Sequence, residues 1–250
     1  MQIPDGSERI NKMKVLSIGN SFSQDAHKYL HRLAAAEGVA MKCVNLYISG
    51  CTLRTHYLNM LDNNKAYSFE FNGQVTGIRV SIAEALASDN WDVITLQQAS
   101  HLSKDYSTYT PYIEALAEYV RKYCPHAKLY IHETWAYEAG SARLASVGCE
   151  TPAEMLLAVR EAYANAASAV MADGIIPSGD AMLAAVEGGI AKIHRDTFHA
   201  SRGAGRYLLA LTWYRALTGN DIWNNRFDDL DEPVDEFERE IIIKAVTDTI

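Results

Sequence analysis

The stretch Lys14-Val-Leu-Ser-Ile-Gly19, followed without a break by Asn20-Ser21-Phe22-Ser23-Gln24-Asp25, decides the fold. Val15, Leu16 and Ile18 form the short apolar run of a strand buried on both faces, and such strands belong to parallel sheets. After the polar turn, Ala26, Tyr29, Leu30, Leu33 and Ala34 recur at helical spacing until Gly38 stops the pattern. Strand, tight turn and helix in this order open a βαβ unit, whose crossover helix covers one face of a sheet.

Working outward, 41–48 reads as a second strand ending at the turn Ser49-Gly50-Cys51. Residues 67–80 alternate around Asn72-Gly73, a strong hairpin signal, and are expected as a small antiparallel excursion. A short helix over 81–88 leads to a third strand, 91–96, ending in Gln97-Gln98. A helix over 111–124, a strand over 127–131 and a helix over 151–171, with Pro152 in its first turn, follow. A fifth strand spans 174–177, and helices span 203–217 and 233–246. The expected architecture is an α/β sandwich of three layers: helices on both faces of a mostly parallel five-stranded sheet, plus the hairpin excursion. No fixed-period repeat or Pro/Gly/Ser-rich linker divides the 250 residues, so one domain is expected, with its core over about 13–220 and a closing helix over about 233–247. The acidic run 228–240 reads as a solvated entry into that helix.

Composition excludes several classes. Twenty-three Lys and Arg against 31 Asp and Glu give a net charge of −8, which disfavours docking on nucleic acid or anionic lipid. No apolar run approaches the ~20 residues that cross a bilayer. Cys43, Cys51, Cys124 and Cys149 form no C-x-x-C pair and are expected as reduced thiols. The polar segment 1–11, with Pro4 and Gly6, does not read as a leader, so the cytoplasm is the default compartment, and export is expected only if a leader has been removed. An uncovered sheet edge would offer a route to a homodimer.

Ligands of open parallel sheets bind beyond the carboxyl ends of the strands, and several polar segments fall there. Ser21, between strand and helix, can present its hydroxyl beside the unpaired N–H groups of the helix start, which favour negative charge. It can instead cap the helix, since Ser21-x-x-Gln24 fits a capping box, with Ser23 and Asp25 as rival caps. A serine needs a base, and Asp196 and His199 offer a base and its orienter three residues apart. His194, Asp196 and His199 also have metal-ligand spacing, and His27 and His31 lie one helical turn apart, yet no glutamate base follows and no further ligand is paired with either set. No metal is therefore expected. Trp135 and Tyr137 follow a strand end and could form a platform for a sugar or acyl group, or pack beneath a loop. Asp180 could bind hydroxyls or cap the helix after it.

Together these segments resemble the SGNH hydrolases, or GDSL-like esterases and lipases, and more closely a bacterial branch of them catalogued as a domain of unknown function. The opening Gly-Asp-Ser block is matched by Gly19-Asn20-Ser21-Phe22-Ser23, the glycine block by Gly50, and the closing Asp-x-x-His by Asp196-Thr197-Phe198-His199. Ser201-x-x-x-Gly205-x-Tyr207-Leu208 resembles the closer branch, and the similarity covers about 13–220. The Gly-x-Asn-Asp block departs: Leu96-Gln97-Gln98-Ala99-Ser100 stands in its place. The resemblance implies a flavodoxin-like sheet and a serine esterase with Ser21 as nucleophile, His199 as base and Asp196 as its orienter. Its oxyanion donors would be the N–H groups of Ser21 and Gly50 and the amide of Gln98 or Gln97, with Gln98 preferred because it lies nearer the loop. Candidate substrate-binding residues are Asn20, Trp135, Tyr137 and Asp180. No cofactor is implied. The implied substrate is a small acyl ester, acetyl above all, on a carbohydrate. The alternatives are an inactive carbohydrate-binding protein on the same fold and an acyltransferase using the same serine.

Overall fold

The computed structural model describes residues 12–250, and the polar segment 1–11 lies outside them. Strands β1 (Lys12–Gly19), β2 (Ala40–Tyr47), β5 (Val93–Leu96), β6 (Lys128–Glu133) and β7 (Gly174–Pro177) run parallel, and β3 (Tyr67–Phe71) and β4 (Gln74–Val80) form the hairpin. The sheet order is β4-β3-β2-β1-β5-β6-β7.

One expectation needs correction. The hairpin is part of the main sheet, because β3 pairs antiparallel with β2, Val44 opposite Phe71 and Tyr47 opposite Ser68, giving a mixed sheet of seven strands instead of five plus an excursion. Asn72 makes the join: its N–H donates to the Cys43 carbonyl at 2.7 Å, and its side-chain oxygen accepts the Cys43 N–H at 2.9 Å. The turn takes the left-handed backbone that Asn-Gly favours, with φ of 50° and 75°. A Cβ on Gly73 would also fall 2.5 Å from the Lys28 carbonyl, so only glycine fits.

Helix α1 (Ser21–Ala36) lies between β1 and β2, α4 (Tyr112–Tyr123) between β5 and β6, and α6 (Pro152–Ala169) between β6 and β7. The chain moves across the sheet one way from β1 to β2 and the other way from β5 to β7, so right-handed crossovers put α1 opposite α4 and α6. Packing agrees. Helix α8 (Ala204–Thr218) lies against α1, α7 (Ser178–Glu187) and α9 (Glu236–Thr249), while α2 (Leu53–Leu61) and α3 (Ile82–Ala87) pack on α4. Helix α8 is buried all round from Tyr207 to Tyr214, which explains its lack of a polar face. Among the described residues no helix is long and apolar enough to cross a membrane.

Two helices were not expected. Helix α2 buries Leu53, His56 and Met60 at helical spacing, but the histidine interrupts an otherwise apolar stripe. Helix α5 (Ala142–Ser146) is a single turn capped by Ser141 and too short for a periodic signal.

Candidate active site

Strand β1 lies between β2 and β5, so connections leave it in opposite directions and its carboxyl end opens a crevice at the switch point. Ser21 stands there as the first residue of α1. The cap is Asn20, not Ser21: the Asn20 side chain accepts the Phe22 N–H at 3.0 Å, and Ser23 completes the capping box by accepting the Asn20 N–H. The Ser21 hydroxyl is thereby left out of capping, half-buried, and bonded to Nε2 of His199 at 2.8 Å.

His199 comes from the loop before α8. Its Nδ1 lies 2.8 Å from Oδ2 of Asp196, and Oδ1 of Asp196 accepts the His199 backbone N–H at 2.8 Å. The loop doubles back to make this possible. Thr197 sits at φ 71°, an uncommon left-handed conformation for a β-branched residue, and its carbonyl accepts the Glu138 N–H at 2.8 Å. Burial pushes the Asp196 carboxyl up, but hydrogen bonds from the His199 ring and backbone outweigh it and hold the group below its ordinary range. An ionised carboxylate is thus bonded to one ring nitrogen, which leaves the other lone pair aimed at Ser21.

The aromatic residues expected at the substrate belong to the scaffold. Trp135 is fully buried, stacks on Phe22 with ring centres 3.9 Å apart, and donates Nε1–H to the Phe198 carbonyl at 2.7 Å. Tyr137 is fully buried, shares a hydrogen bond with Ser100 at 2.9 Å and meets Phe198 edge to face. Neither exposes a face to a sugar. They pin the loop that carries His199. Asp180 is also elsewhere: it lies in the first turn of α7, paired with Arg160, and its N–H donates to Glu133.

The two glutamines face opposite ways, as neighbours at a strand end should. Gln98, the preferred oxyanion donor, is corrected. Its amide nitrogen donates to the carbonyl and hydroxyl of Thr108, and its oxygen accepts the N–H groups of Leu53 and Ala99, so it ties the start of α2 to the loop after β5. Gln97 points toward the residue before Ser21: its amide donates to Oδ1 of Asn20 at 2.8 Å, and its oxygen meets Nδ1 of His132 at 2.7 Å. Asn20 is buried and gives its own amide to the Cys51 carbonyl, which makes it a brace between β1 and the Gly50 turn and not a substrate contact. The backbone donors remain. Within the described residues neither the Ser21 N–H nor the Gly50 N–H is taken by another group, and Gly50 is exposed at φ 58°.

The histidines considered as ligands have other partners. His27 meets the Ser17 hydroxyl at 2.8 Å, His31 meets the Met41 carbonyl at 2.5 Å, and His194 meets the Ala136 carbonyl at 3.1 Å.

Asp25, considered as a rival cap, lies inside α1 and caps nothing, and its role in a cluster with Arg195 and Arg206 was not read from the sequence. Asp25 lies on the buried stripe of α1, and both its oxygens accept from Nη1 of Arg195 at 2.9 Å while Oδ1 also accepts from Nε of Arg206. Arg195 immediately precedes Asp196, so this cluster ties the histidine loop to the helix that carries Ser21. The signal was an acid at a core position between Phe22 and Tyr29, which demands a cation.

The fold is of the α/β kind in which helices flank a mixed seven-stranded sheet, broadly similar to esterase folds. The chain belongs to the family described as domain of unknown function (DUF4886), whose model matches residues 14–247. The crystal structure of a DUF4886 family protein from Bacteroides uniformis ATCC 8492 is 34% identical, with a TM-score of 0.87 over 96% of this chain and 95% of that one. More distant in sequence are Axe2, an acetylxylan esterase from Geobacillus stearothermophilus, 15% identical with a TM-score of 0.54 over 84% of this chain and 96% of that one, and the acetyl xylan esterase AlAXEase, 14% identical with a TM-score of 0.53 over 82% and 100%. At that identity the likeness concerns the fold. No curated protein matches the chain.

Proposed function

We propose that this protein is a serine hydrolase of the SGNH type that cleaves small acyl esters through an acyl-enzyme, with acetyl groups on carbohydrate as the favoured substrate. The observation that carries the reading is the hydrogen-bonded series Asp196–His199–Ser21, each link 2.8 Å, at the switch point of the sheet. Ser21 Oγ attacks the ester carbonyl as Nε2 of His199 takes its proton, and His199 returns that proton to the leaving alcohol. Water, deprotonated by the same nitrogen, then cleaves the acyl-serine and regenerates the hydroxyl. Asp196 holds the imidazole tautomer and stabilises the imidazolium. The N–H groups of Ser21 and Gly50 serve the developing oxyanion, each such donor being worth ~3 kcal/mol in the transition state. The acetyl preference is supported by the family resemblance in the sequence blocks and by the fold shared with two acetylxylan esterases.

A second reading, a carbohydrate-binding protein without turnover, is favoured by one feature: the amide of Gln98 is fully engaged with Thr108, and that of Gln97 is bonded to Asn20, so neither is bonded to Ser21. Hydrolysis of a chromogenic acetyl ester decides between them. The hydrolase reading expects turnover by the native protein and a loss of ~10⁵-fold or more in Ser21→Ala. Equal rates for the two proteins would refute it.

A further inference from the structure

Arg143 projects from α5, in the connection between β6 and α6. Its guanidinium carbon lies 3.9 Å from the centre of the Phe198 ring and 5.9 Å from that of Tyr137. The Phe198 ring in turn lies 3.9 Å from the imidazole of His199. One aromatic ring therefore separates an exposed guanidinium from the proposed base. Among the described residues no carboxylate comes within ion-pair distance of Arg143, and no acceptor takes its side-chain N–H groups. Stacking fixes the plane of a guanidinium and restricts its rotamers while leaving the in-plane donors free, a form suited to a planar oxyanion.

The position tells which part of the substrate it meets. His199 hands its proton to the departing alcohol, so the alcohol half of the ester must lie on the histidine side of Ser21, the side on which Phe198 and Arg143 stand. A second cation, Arg54, is exposed in the first turn of α2, just beyond the Gly50 turn, and has no carboxylate partner among the described residues. A chain of net charge −8 repels anions at long range, so anion recognition here must come from local cations such as these.

We propose that Arg143 is a specificity-determining residue and that the ester's alcohol half carries an oxyanion, a carboxylate or a sulfate, as in acylated uronic acids or sulfated sugars. The inference rests on the hydrolase reading for its chemistry, but the binding it describes can be measured without turnover. The substrates are an O-acetylated methyl glucuronide, the matching O-acetylated methyl glucoside and a sulfated counterpart. Expected is a kcat/KM for an anionic sugar about 10- to 100-fold above that for the neutral one, carried by KM and reduced by salt. In Arg143→Gln that ratio falls to about one, and Arg143→Lys restores part of it. A residue that merely supports Phe198 would lower both rates together and leave the ratio intact, which would overturn the proposal, as would an absence of preference in the native protein. The same sugars are titrated into the Ser21→Ala protein by calorimetry. Preference for the anionic sugar there, lost on adding Arg143→Gln, supports the role of Arg143 even if aryl acetate is not hydrolysed and the hydrolase reading fails; equal affinities refute it. The uronate and sulfate arms identify which oxyanion is recognised.

Discussion

Replacing Asp25 by alanine tests whether the Asp25–Arg195–Arg206 cluster holds the site together. Its carboxylate is fully buried and accepts three charge-assisted hydrogen bonds, two from Arg195 and one from Arg206, each 2.9 Å. Removing one partner of a buried ion pair costs ~3–5 kcal/mol because a charge is left without compensation. Here the lower end applies: the Arg195 side chain is 23% exposed and can regain water, and Arg206 keeps Asp231 at 3.0 Å. The expected loss is therefore ~3 kcal/mol, or a fall in Tm of about 6–12 °C for a chain of this size. Urea unfolding at neutral pH should show the midpoint drop with an unchanged slope. Ester hydrolysis measured below the unfolding transition should also fall, because Arg195 immediately precedes Asp196. Arg195→Met, which removes a cation but leaves Arg206 on the carboxylate, should cost less. A loss below ~1 kcal/mol in Asp25→Ala, with activity intact, would refute the reasoning.

Two further outcomes follow from the same geometry. Trp135→Phe keeps the stack on Phe22 but removes the N–H donated to the Phe198 carbonyl, so it should cost ~1–2 kcal/mol in chemical unfolding and lower kcat more than it changes KM. Stability should decline as pH falls below about 6.5: burial lowers His27, His56 and His132 to about 3 and His194 to about 4, so the unfolded chain takes up protons that the folded one refuses. Glu133, raised to about 8 by burial and by the charge of Asp180, acts in the opposite sense, since the folded chain then holds the extra proton. The net expectation is a loss of ~3 kcal/mol between pH 7.5 and 5.5, checked by urea titrations at both values.

Much of this architecture was legible because local and global signals agree. The buried run through Val15, Leu16 and Ile18, its polar turn and the stripe from Ala26 to Ala34 each specify one element, and the structure has them where expected. The hairpin at Asn72-Gly73 was legible as a turn, but its attachment to β2 depends on hydrogen bonds to Cys43, and periodicity does not name a strand's partner. Around Ser21, residue types and spacing pointed to Asp196 and His199, which the structure brings together. The surroundings were harder to read. An aromatic residue after a strand looks the same in sequence whether it faces solvent or, like Trp135 and Tyr137, lies wholly beneath a loop. The alternation of Gln97 and Gln98 was foreseeable, but their partners, Asn20 and Thr108, come from distant loops. Asp25 was read as a helix cap because the cations that hold it, Arg195 and Arg206, lie 170 and 181 residues away in sequence.

The most direct test of the central claim is covalent trapping. A reactive aryl phosphonate ester forms a stable adduct with a serine activated by a histidine, and peptide mass spectrometry locates it. The account predicts one adduct, on Ser21, formed rapidly by the native protein and lost in His199→Ala. No adduct, an adduct on Ser23 or another serine, or labelling of Ser21 that persists at full rate without His199 would contradict it.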